Sequence, residues 1–130
     1  MFKCLMVAMA AVVLVGCARA APPEDSCKAP DFTPKAAAAT FAGEKEAASI
    51  CVRKSAFALA KGGGDIAHAG EAALAQCAAQ EAAIGKSGDT LYDWQRQALH
   101  ESLTHTGQIT ATQARAMGCG LPPGAAKDTL

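Results

Sequence analysis

The sequence predicts an all-α fold, a small disulfide-stapled bundle of three to four helices built around an antiparallel helical hairpin. Three observations predict it. Apolar residues recur at three- and four-residue steps through most of the chain, and no stretch beyond the N-terminal segment shows β alternation or a β-branched run. Four cysteines follow that segment, spaced so that helices folded on one another can bring them together in pairs. The 130 residues, 51% apolar and 18% charged, hold one domain at most. Alanine supplies 32 of them and aromatic residues only 5%, so the core must be built from small side chains and close helix contact.

Thr33 followed by Pro34 marks a helix start, with a hydroxyl at the cap and a proline where its missing N–H costs nothing. This helix is expected to run to about Ala60. Its apolar face holds Ala37, Phe41, Ala47, Ala48, Ile50, Cys51, Phe57 and Ala58, while Glu44, Lys45, Glu46, Arg53 and Lys54 collect elsewhere. Gly43 is a position where it could divide. Lys61-Gly62-Gly63-Gly64 stops it. No strand precedes these glycines and no Gly-Lys-Ser/Thr follows, so they read as a helix stop and not as a phosphate loop.

Asp65 caps a second helix in which Ile66, Gly70, Ala73, Cys77, Gln80 and Ile84 form one seam ending near Gly85. Folding the two helices over the glycines puts the mirror line near residue 63 and sets Cys51 within a turn of Cys77. Of the three pairings four cysteines allow, this favours Cys51–Cys77, and Cys27–Cys119 follows by elimination. Ser87-Gly88-Asp89 opens a third helix, Thr90 to about Thr106, with Leu91, Trp94, Ala98, Leu99 and Leu103 inward, and Gly107 ends it. Thr110 and Gln113 match a capping box for a short fourth helix through Met117. The helical domain therefore covers residues 34–119, and 120–130 read as a flexible tail.

The N-terminal segment is an address. Lys3 precedes an uncharged apolar run from Cys4 to Val15, the length of a signal-peptide core and well short of the roughly 18–20 residues that span a bilayer. Leu14-Val15-Gly16-Cys17 resembles the lipobox of bacterial lipoproteins. That resemblance implies removal of residues 1–16, a diacylglyceryl group on Cys17 and, since Ala18 is not aspartate, an outer-membrane location facing the periplasm. The alternative is cleavage after Ala18-Arg19-Ala20, removing residues 1–20 and releasing a soluble periplasmic or secreted protein. Residues 17–33, with Pro22, Pro23 and Pro30, read as the lipidated N-terminus and a linker. Export to an oxidising space makes the remaining cysteines disulfides by default.

Function is less legible. A net charge of zero and a pI near 6.8 give no basic field for nucleic acid. No C-x-x-C occurs, and His100 and His105 are turned about 140° apart on a helix, so neither a metal site nor any cofactor is expected. There is no G-x-S-x-G, and Glu101 beside His100 diverges from it by about 100°. No catalytic residue is assigned. An enzyme would need a concave site near His68, His100 or Glu101. Trp94, Tyr92 and Phe57 are the notable aromatics. Trp94 falls at helical spacing with Leu91 and Ala98 and is expected in the core, whereas an exposed Tyr92 or Trp94 would mark an interface. The leading expectation is an exported, envelope-associated binding or inhibitor-type lipoprotein, held by its lipid and engaging an envelope protein. Its rival is a structural lipoprotein that self-associates through alanine faces.

Overall fold

The computed structural model describes residues 27–88 and 90–122; the signal segment, Cys17 and the tail from residue 123 lie outside them. Four helices pack together: α1 (Phe41–Lys61), α2 (Ala69–Gln76), α3 (Ala78–Ala83) and α4 (Asp93–Ala116). Each of the shorter helices packs against α1, and α2 also lies across α4. The α1–α4 contact is the largest. Both expected disulfides are present, Cys51–Cys77 with Cα atoms 5.9 Å apart and Cys27–Cys119 at 5.0 Å.

Helix α1 starts seven residues after Pro34. The start is set at Thr40, whose hydroxyl accepts from the Gly43 amide at 3.0 Å and donates to the Ala37 carbonyl at 2.7 Å. Gly43 does not divide the helix. It admits the incoming chain, because a Cβ there would stand 1.9 Å from the Ala37 carbonyl oxygen. Residues 27–40 lie as a strap along α1. Glu46 accepts from the amides of Lys35 and Ala36, and the partly buried Phe32 ring has the Arg53 guanidinium 5.2 Å from its centre. Thr33, expected as the cap, instead donates through its amide and its hydroxyl to Asp31.

The buried stripe of α1 runs through Ala48, Val52, Ala56, Phe57 and Ala60, and the expected Ala47 and Ala58 are exposed. Alanine is the reason. With alanine on several faces, composition gives the helical period but little contrast to fix its phase.

The expected second helix is two. Cys77 ends α2 by donating its amide to the Leu74 carbonyl and opens α3 by accepting from Glu81. The break turns Gln80 out to solvent, while Ile84, just past α3, returns to the core. Asp65 caps a turn, accepting from the Ala67 amide, and α2 begins only at Ala69.

The expected third and fourth helices are one. Gly107 lies inside α4, where a Cβ would meet Val52 Cγ1 at 2.9 Å and Gly70 Cα at 3.0 Å; at Gly70 one would stand 2.2 Å from the Thr104 carbonyl oxygen. The two glycines let α2 cross α4 almost backbone to backbone. Gln108 fixes the crossing, its Oε1 accepting from the Gly70 amide at 3.1 Å and its Nε2 donating to the Ile66 carbonyl at 2.7 Å. It thus supplies to α2 the N-terminal partner that the His68 side chain does not. Thr110 opens no capping box; its hydroxyl donates to the Thr106 carbonyl one turn back.

Candidate functional site

Helix α4 buries one face and leaves the other uncovered by the described residues. Leu103, Gly107, Thr110, Ala111 and Ala114 face the core. Opposite them Trp94, Ala98, Glu101, His105, Ile109, Thr112 and Ala116 recur at steps of three and four residues, and every one is exposed. At about 100° per residue these seven fall within roughly 80° of arc, a single straight stripe along the helix. Glu101 is its one residue with a full formal charge at neutral pH. Trp94, expected in the core, is 69% exposed and Ile109 is 42% exposed. Leu91 and Leu99 pack against the core, but Trp94 and Ala98 lie on the opposite side. The leucine spacing is satisfied without the tryptophan. Tyr92, at the N-cap of α4, is 68% exposed, and Phe57 is core.

Beside the stripe, where α2 crosses α4, an open cleft of about 490 Å³ collects all three histidines: His68 with Glu71 from α2 and its cap, and His100, Glu101, His105 and Gln108 from α4. His100 and His105, about 140° apart around α4, both line this open cleft. Their partners differ. His68 Nδ1 stands 3.7 Å from Glu71, and His100 Nδ1 stands 2.8 Å from Glu81 of α3, not from its neighbour Glu101. Glu101 accepts from Gln97 at 3.0 Å. His105 has no carboxylate partner among the described residues.

Among the described residues no group of three or more histidine, cysteine or carboxylate side chains is placed to hold a metal ion. A histidine–carboxylate pair has the form of a general base, but a base needs a group to activate. The hydroxyl that lines the cleft, that of Thr104, donates to the His100 carbonyl. No family model matches this chain, and no curated protein or solved structure matches it. A second, smaller hollow of about 200 Å³ lies between α3 and the start of α4, floored by Ile84, Leu91 and Leu99 with Glu81 and Arg96 at its edge.

Two carboxylates elsewhere titrate away from their ordinary range. Hydrogen bonds from the Ala36 and Lys35 amides lower the Glu46 pKa, and those from the Thr33 hydroxyl and amide lower that of Asp31. Asp31 lies in the strap and shapes its turn, whereas Glu46 lies on α1 and holds the strap to that helix. Of the described residues that matter to the candidate surface, Ile109, Gln108 and Glu81 carry no expectation from sequence. Continuing the Trp94–Ala98–Glu101–His105 steps past Gly107 would have reached Ile109. Nothing local marks the other two. No described helix is long and apolar enough to cross a membrane.

Proposed function

We propose that this chain is an exported, envelope-associated binding or inhibitor-type module, tethered to the outer membrane through a lipidated Cys17 and engaging its partner through the bare face of α4. The observation that carries the reading is Trp94. The chain's single tryptophan stands two-thirds exposed on a rigid helix, where a buried aromatic would have strengthened an alanine core. Tryptophan is the side chain that most often anchors an interface, and a stapled scaffold lowers the ordering cost of binding. The signal segment and lipobox support export and tethering; two acyl chains anchor stably where one would not.

Two measurements test it. Intact mass of the protein from the membrane fraction should show acylation at Cys17, and an unmodified chain beginning at Ala21 would reject the anchor. Affinity capture from the envelope should recover a partner that Trp94→Ala loses. Retention by the Trp94 variant would place the binding surface elsewhere.

A further inference from the structure

We infer that the bare face of α4 binds a second copy of this chain, helix against antiparallel helix, across a two-fold axis midway between Glu101 and His105. This rests on the reading of that face as the binding surface and names its occupant. The stripe runs the length of a 24-residue helix, about 36 Å. A two-fold perpendicular to both helix axes lays one copy's stripe on the other's in reverse order. With the axis at that place Glu101 of each copy lies level with His105 of the other. Ala98 lies level with Ile109 to within one residue, and Trp94 with Thr112.

Each juxtaposition is complementary. Glu101 has one carboxylate oxygen beyond its bond from Gln97, and His105 is the histidine of the cleft without a described carboxylate of its own. Each can therefore supply what the other lacks, twice, whether the imidazole is neutral or protonated, since either form carries an N–H. The small Ala98 accommodates the exposed Ile109. These two also lie to the same side of the stripe, so the two-fold brings them to the same edge of the interface. Trp94 covers Thr112 and, one turn further on, Ala116. The paired stripe contains no arginine or lysine that would have to be desolvated. A contact made by one helix is at the small end of specific interfaces, so the equilibrium depends on concentration, and tethering to a membrane would raise the effective concentration.

The test exchanges charges in the full-length exported, oxidised protein, with sedimentation equilibrium as the readout and helical circular dichroism to verify each fold. Wild type should pass from monomer to dimer as concentration rises. In a dimer of Glu101→Lys an introduced ammonium faces His105 at both contacts, and in a dimer of His105→Glu an introduced carboxylate faces Glu101 at both. His105→Glu alone, with carboxylate against carboxylate at both contacts, should therefore dimerise about tenfold or more weakly, and its recovery on mixing with Glu101→Lys is the decisive reading. Mixed together, the two variants place the introduced ammonium of one copy against the introduced carboxylate of the other and leave Glu101 facing His105 at the second contact. The mixture should recover wild-type dimerisation, and recovery is specific to this antiparallel register. Wild type that stays monomeric at millimolar concentration, or variants that do not recover on mixing, would overturn the inference. Should the monomer nevertheless capture an envelope protein that Trp94→Ala loses, the face is a binding surface for another partner: the inference fails and the functional reading stands. If neither association occurs, both fail.

Discussion

Replacing Gly70 with alanine separates two opposed effects of a methyl group. Local propensity favours the change, since alanine is preferred to glycine in a helix by up to about 1 kcal/mol. The crossing opposes it. The new Cβ would stand 2.2 Å from the Thr104 carbonyl oxygen and 3.1 Å from the Gln108 amide nitrogen, both backbone atoms of α4 that cannot rotate away. Ordinary contact begins at 3.4 Å, so α2 and α4 must part by about 1 Å, loosening Val52 and Gly107 and lengthening the bond from Gly70 to Gln108. Overpacking of this kind costs typically about 1–3 kcal/mol, and meeting backbone puts it at the upper end. The net expectation is a loss of about 2 kcal/mol. For a domain of this size that lowers Tm by roughly 10 °C. Thermal unfolding of the oxidised protein, followed by circular dichroism, reads it. Gly64→Ala is the control, because its Cβ meets nothing closer than 4.0 Å, and it should move Tm little. A Gly70→Ala protein as stable as wild type, or more so, would refute the argument that close backbone approach, and not propensity, fixes this position.

Three further predictions concern other links in the fold. Gln108→Ala removes the hydrogen bonds to Gly70 of α2 and to Ile66 just before it and should cost about 1–3 kcal/mol, with faster amide exchange at Gly70 as its signature. Replacing the Cys51–Cys77 pair or the Cys27–Cys119 pair by serine opens loops of 26 or 92 residues and should cost about 3–5 kcal/mol each in the chain-entropy account, measured by urea unfolding. Because the folded pKa of Glu46 lies below its usual 4.5, its contribution is complete above that value and is lost as pH falls through the folded pKa. Amide exchange at Lys35 and Ala36 should therefore accelerate below about pH 4.5, beyond the intrinsic pH effect, and Glu46→Gln should flatten that response.

Helix content and the disulfide pairs are legible in the sequence because each rests on a signal that survives without tertiary information. Periodicity reports secondary structure, and the mirror line through Gly62–Gly64 reports which cysteines can meet. The errors share one cause. Read locally, Gly107 is a stop and Gly43 a possible division, because glycine is costly inside a helix taken alone. In the folded chain each admits another backbone where a Cβ would clash. The spacing of Trp94 to Leu91 and Ala98 points to the core, but in α4 the spacings of Leu99 and Leu103 define the inward face, and Trp94 falls opposite. The candidate surface is half visible from sequence: Trp94 stands out as a scarce aromatic, but Ile109 is hidden behind the supposed helix end.

The sequence by itself determined that this chain is helical, that glycines fold its first helices into a hairpin, and that Cys51 pairs with Cys77 and Cys27 with Cys119. These follow from local backbone preference and from chain geometry. Only the tertiary structure decided where helices start, stop and fuse, and which stripe of each is buried. Alanine offers too little contrast to set the phase of a helix, and a glycine's role depends on whether another backbone lies against it. The same contacts turned Trp94, Glu101 and His105 outward and left on α4 a face that the other described elements do not cover.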